Sequence, residues 1–114
     1  MTFEQRLVPA RGDAIWITLD PQAGHEQAGR RPAVVLSPDS YNARTGLALV
    51  CPITSQEKGY PFEVRLPATL PVRGVVLADA VKNLDWRARQ AEHICKLPGS
   101  VIEQVLERLI TLLS

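Results

Sequence analysis

Short apolar runs broken by turn residues at intervals of about ten positions constrain this chain more than any other feature. Asp13 to Leu19 (DAIWITL) alternates in period two, with Ile15, Ile17 and Leu19 on one face. Ala33 to Leu36 (AVVL) is a continuous, largely β-branched run of the kind buried on both faces, closed by Ser37-Pro38. Leu47 to Ile53, Phe62 to Leu66, Gly74 to Ala78 and Ala91 to Leu97 read as further strands, with a helical turn or loop near Tyr41 to Gly46. Many short strands with turns between them predict a small barrel or a strongly bent sheet.

The period changes at the C-terminus. Apolar residues at 101, 102, 105, 106, 109 and 110 form a stripe of helical spacing. Ser100 and Glu103 stand at capping-box spacing and predict Ser100 as the N-cap of that helix. The class is therefore mainly β (α+β), a small barrel with short helical elements and a C-terminal amphipathic helix. Its apolar tail, Ile110 to Leu113, is a surface that could serve a dimer.

At 114 residues the chain is expected to form one domain, residues 1–114. No run approaches the roughly 18 apolar residues of a membrane span. The opening MTFEQRLVPARGD has no apolar leader segment, so a cytoplasmic location without membrane attachment is expected. Net charge is +1, which gives no global basic field, so any nucleic-acid binding must rest on local patches. Cys51 and Cys95 both sit in apolar surroundings and read as small buried hydrophobes.

Several chemistries are excluded by spacing. His25, His93, Cys51 and Cys95 do not fall at zinc-finger or HExxH intervals, so no metal or other cofactor is expected. No phosphate-binding P-loop follows Gly24 and Gly29, and there is no Gly-x-Ser-x-Gly elbow.

Three polar clusters remain. The loop from Pro21 to Pro32 is long for so small a domain and carries His25, Glu26, Gln27, Arg30 and Arg31. Cleavage of RNA without metal needs a base for the 2′-hydroxyl and a cation for the phosphorane, and this loop holds both types. By composition alone the solvated turn is the favoured reading, because exposed charges are the norm. Thr54, Ser55, Gln56, Lys58 and Tyr60 follow a strand end, where hydroxyls and an ammonium could grip phosphate. Asp79 and Lys82 lead into Trp86-Arg87-Ala88-Arg89, in which the tryptophan reads as a packing anchor.

In this order, RGDAIWITLDPQAGHEQAGRRPAVVLSP, YNARTG, CPITSQEKGYPFEV and GVVLADAVKNLDWRAR resemble the MazF/PemK toxins of bacterial toxin–antitoxin systems. The likeness runs over nearly the whole chain, and Gly-x-Glu-Gln-x-Gly-x-Arg-Pro before an apolar strand is a specific signature. The resemblance implies an SH3-like β-barrel, a homodimer, and a metal-independent, sequence-specific endoribonuclease. Such an enzyme cleaves single-stranded RNA to 2′,3′-cyclic phosphate and 5′-hydroxyl ends. Carried over by motif, Arg31 and Thr54 stand at the scissile phosphate and Glu26 matches the acidic residue of the same loop. Gln27, Arg30, Ser55, Gln56, Lys58, Asp79 and Lys82 are the expected RNA contacts. The expected protein partner is a MazE-like antitoxin with an acidic C-terminal segment. Many relatives carry Gln where this chain has Ala80, which bears on the RNA sequence recognised. The rival reading is a non-catalytic module on the same barrel, a gyrase poison or an RNA-binding regulator.

Overall fold

The computed structural model describes residues 8–19 and 29–114. Seven strands and two helices follow in the order β1 (Asp13–Thr18), β2 (Arg30–Val35), α1 (Asp39–Thr45), β3 (Leu47–Thr54), β4 (Glu63–Arg65), β5 (Val75–Leu77), β6 (Lys82–Asp85), β7 (Glu92–Lys96) and α2 (Gly99–Thr111). All strand pairs are antiparallel, in the order β4-β5-β3-β2-β1-β7, with β6 also on β3. The sheet bends as expected but does not close, because β4 and β7 share no ladder.

β3 organises the sheet. One edge pairs with β2; the other pairs with β6 through Leu47–Val50 and then with β5 through Ile53 and Thr54. Apolar side chains on both faces of these central strands make two cores. Ala14, Val34, Cys51 and Val76 pack with Val101, Ile102 and Val105 of α2. Ile15, Ile17, Ala33, Val35 and Val50 pack instead with Leu84 and Trp86. Burial of such side chains supplies most of the folding free energy.

α1 is short and is held by a buried polar knot. The Asn42 side chain donates to the carbonyls of Pro9 (2.7 Å) and Ser37 (3.1 Å), and its carbonyl oxygen accepts from the Ser37 hydroxyl. The Trp86 indole N–H donates to the Asn42 backbone carbonyl at 2.9 Å. Every polar group of this knot is satisfied, as burial demands. Gly46 ends the helix at φ 75°, the left-handed conformation a C-terminal stop favours.

The helix α2 starts two residues earlier than the capping box predicts. Pro98 is the N-cap and no side-chain cap bond forms; its carbonyl accepts from the N–H groups of Val101 (3.0 Å) and Ile102 (3.4 Å). Ser100 thus lies inside the first turn. Val101, Ile102 and Val105 are buried and Leu106 and Leu109 pack on the same core, whereas Ile110 is 57% exposed. No helix among the described residues is long and apolar enough to cross a membrane.

Gly74 makes a close approach that no other residue type allows. Its φ is +114°, and a Cβ there would lie 2.0 Å from the Thr54 carbonyl oxygen. Gly74→Ala should therefore lower stability by roughly 2 kcal/mol or more, read as a lower urea midpoint at unchanged slope. An unaltered midpoint would show that the β3–β5 junction yields freely.

Cys51 and Cys95 are free thiols, Cys51 buried and Cys95 half-buried. Burial, reinforced by Asp79, pushes the Cys51 thiol up to about 12. Above the ordinary thiol range the unfolded chain loses this proton while the folded chain keeps it, so stability falls as pH rises from about 9 towards 12. Urea midpoints measured across that range should decline more steeply for the native chain than for Cys51→Ala. Equal slopes would contradict the assignment.

Candidate active-site cleft

The β2–β3 ladder ends where its residues run out of amide protons. Val35, Val34 and Ala33 pair with Val50, Cys51 and Pro52, and the next residue of β2 is Pro32. Neither proline can donate to a ladder. Continuing the same register two residues further sets Arg31 across from Thr54, the last residue of β3.

Beyond that point lies a cleft of about 770 Å³. Arg31 and Pro32 line it from β2, Pro52 to Gln56 from β3 and the turn after it, Trp16 and Leu19 from β1 and its end, and Arg73 from the β4–β5 connection. The structure thus brings together the two residues expected at the scissile phosphate, with Ser55 and Gln56 beside them.

The two neighbouring arginines part company. Arg31 shares the strand face of the buried Ala33 and Val35 but stands at the end of the sheet, where it is exposed and has no hydrogen bond or ion pair to any described residue. Arg30 is tied down. Its guanidinium pairs with Glu92 at 2.5 Å and donates to the Arg89 carbonyl at 3.2 Å. It does not line the cleft. Both arginines stand within β2 itself, which begins at Arg30 rather than at the expected Ala33.

Thr54 is held for donation. Its Oγ1 accepts the Gln56 N–H at 3.1 Å, which orients the oxygen and leaves the hydroxyl proton for another acceptor. The turn that follows is shaped by Glu63, whose carboxylate accepts from the N–H groups of Lys58 (3.0 Å) and Gly59 (2.9 Å). Arg108 of α2 clamps the same turn through the Pro61 carbonyl at 2.9 Å. As a result Thr54, Gln56, Lys58, Tyr60 and Asp79 share a smaller depression of about 220 Å³ adjoining the cleft at Thr54 and Gln56. Lys82, exposed on β6, lies outside both depressions.

The Trp-Arg-Ala-Arg segment serves the framework. Trp86 is 3% exposed in the second core, and the Arg87 guanidinium sits 4.7 Å above its ring. Arg89 donates to the carbonyls of Thr18 (3.0 Å) and Leu19 (3.2 Å), bracing the end of β1. The Leu19 N–H in turn donates to the Gly29 carbonyl at 2.7 Å, tying together the two ends of the loop that carries the acidic candidate. His25, Glu26 and Gln27 themselves lie outside the described residues. His93 is 3.5 Å from Asp13, which also pairs with Lys96 at 2.7 Å. Among the described residues, no three His, Cys, Asp or Glu side chains gather as a metal site.

The aromatic and the second cation of the cleft, Trp16 and Arg73, were not among the sequence candidates. Trp16 carried a signal, since it is the large side chain on the outward phase of β1 between Ile15 and Ile17. Arg73 carried none; it stands in a Pro-rich connection of no regular period.

Comparison with known proteins agrees with this arrangement. The family model described as "PemK-like, MazF-like toxin of type II toxin-antitoxin system" matches residues 10–113. The endoribonuclease toxin MazF of Escherichia coli strain K12 is 58% identical over 86 residues, 75% of this chain and 77% of that protein. A crystal structure of MazF from Deinococcus radiodurans superposes with a TM-score of 0.86 at 57% identity, covering 93% of this chain and 96% of that one. A MazE–MazF crystal structure from the same organism gives 0.83 at 50% identity, covering 93% and 95%. With a matching family model over almost its entire length and a relative 58% identical over 75% of it, the chain belongs to the PemK-like, MazF-like toxins of type II toxin–antitoxin systems.

Proposed function

We propose that the chain cuts single-stranded RNA at the Arg31–Thr54 cleft without a metal ion, leaving a 2′,3′-cyclic phosphate and a 5′-hydroxyl. That it is an endoribonuclease toxin follows from its family and its relatives; the chemistry and the residue roles are our reading. The observation that carries it is that an exposed guanidinium with no partner among the described residues and a strand-end hydroxyl line one cleft where the β2–β3 ladder stops.

In this mechanism Glu26 takes the proton of the attacking 2′-hydroxyl. The 2′-oxygen then attacks the adjacent phosphorus, the bond to the 5′-oxygen breaks, and the leaving oxygen takes a proton from water, assisted by Arg31, to become the 5′-hydroxyl. Arg31 stabilises the extra negative charge of the phosphorane, a task suited to a planar cation that keeps its proton. Thr54 donates its hydroxyl to a phosphate oxygen and holds the group in line. Gln27, Ser55, Gln56, Lys58 and Asp79 contact the flanking nucleotides, with Arg30 and Lys82 as outlying charges. A single cationic groove on a near-neutral protein suits a toxin that meets RNA and an acidic antitoxin segment alternately, both in the cytoplasm. RNA bases held in such a groove are read singly, unpaired.

Single-turnover cleavage in excess EDTA tests this reading. Glu26→Gln should slow the step about 10²- to 10⁴-fold, Arg31→Ala at least about 10²-fold, and Thr54→Ala about 10- to 100-fold. Discrete fragments with 5′-hydroxyl ends are expected from the native chain. Wild-type rates for Arg31→Ala, or intact RNA together with inhibited DNA supercoiling, would overturn it.

The same reading includes a homodimer. Ile110, Leu112 and Leu113 at the end of α2 are 57%, 50% and 78% exposed, an apolar cluster suited to a second copy. Sedimentation should find a dimer for the native chain and a shift towards monomer for Leu113→Asp; an unshifted dimer would move the interface elsewhere.

A further inference from the structure

Six of the described arginines are engaged within the molecule: Arg11, Arg30, Arg65, Arg89 and Arg108 through hydrogen bonds, and Arg87 on the Trp86 ring. Arg73 has no such partner among the described residues, and it lines the same cleft as Arg31. Its position is well anchored. Val72 before it is buried in the first core, and Gly74 after it lies against the Thr54 backbone. Arg73 is therefore a rigidly presented charge on the Thr54 side of the cleft.

The Arg31 side carries the complement. Trp16 pairs with Pro32 in the β1–β2 register and is 42% exposed, although Ile15 and Ile17 beside it are buried. Its indole N–H has no partner among the described residues. Pro32, Pro52, Pro71 and Ile94 extend an apolar lining around it. An exposed aromatic plane on a strand, with an unpaired guanidinium on the opposite flank, suits a base that stacks and a phosphate that pairs. An acidic peptide would also satisfy the cation, so it is the exposed indole plane beside it that favours a nucleotide.

We propose that Trp16 and Arg73 form a nucleotide subsite next to the scissile phosphate, the base stacking on Trp16 and its phosphate pairing with Arg73. This rests on the RNA-cleaving reading above and adds two binding residues to it. Their role is to hold one flanking nucleotide of any base identity, because every base presents a π-face.

The test titrates the full chain with a single-stranded 2′-fluoro RNA, which lacks the attacking hydroxyl at every position. Trp16 emission should be quenched on binding and Trp16→Phe should remove the quench, while the buried Trp86 emission reports that the variant is folded. Trp16→Ala should weaken binding roughly 5- to 150-fold, with Trp16→Phe retaining most of the affinity. Arg73→Ala should flatten the dependence of log Kd on log salt by about 0.7, and Arg73→Lys should restore it. Native affinity and salt slope in Trp16→Ala and Arg73→Ala would overturn the subsite. If Arg31-dependent cleavage persisted in that case, the nuclease reading would stand without it; if native protein cut no RNA, that reading would fail first. Trp16 quenching that follows protein concentration without RNA, or that only an acidic peptide produces, would assign the surface to a protein and also overturn the subsite.

Discussion

Two prolines without amide protons end the ladder between β2 and β3, and the cleft opens where that ladder stops. Had the hydrogen bonding run on, Arg31 and Thr54 would have been consecutive partners in a continuous sheet. Instead both line open space, Arg31 without a partner among the described residues and Thr54 with its hydroxyl proton still to donate. The buried runs Ala33–Val35 and Val50–Cys51 just behind them make this end of the sheet stiff. Rigidity matters here because electrostatic help to a transition state depends on charges that need not reorganise.

Charge on this molecule is divided by geometry. Arg30, Arg89 and Arg87 look in sequence like a nucleic-acid patch, yet each is spent on the framework: an ion pair with Glu92, the end of β1, the face of Trp86. Among the described residues Arg31, Arg73 and Arg44 of α1 have no such partner, and of these Arg31 and Arg73 line the cleft. A net charge of +1 is thus compatible with a cationic groove, since it is the unpaired charges and not their total that an incoming phosphate meets.

Strands with strong alternation or β-branched runs, such as DAIWIT and AVV, declared themselves, and so did the helical stripe of α2. β6 did not, because Lys-Asn-Leu-Asp has one buried side chain, Leu84, and owes its extended form to pairing with β3. The capping box misplaced the N-cap of α2 by two residues, because the Pro98 carbonyl already accepts the N–H groups of Val101 and Ile102 and Ser100 falls inside the first turn. At the site, Arg31, Thr54, Ser55 and Gln56 were legible from motif order. Trp16 was visible as an outward aromatic whose use was unnamed, and Arg73 was silent because its place depends on Gly74 touching a strand 20 residues away in sequence.

Local patterning was sufficient for element types, the mainly β class and the motif residues, since hydrophobic period and turn chemistry act over a few residues. Which of two adjacent arginines is free, and which side chains share a wall with Thr54, only long-range pairing could decide. Register in a sheet is set by contacts between distant segments, and a shift of one residue would have exchanged Arg30 and Arg31 between the ion pair and the cleft.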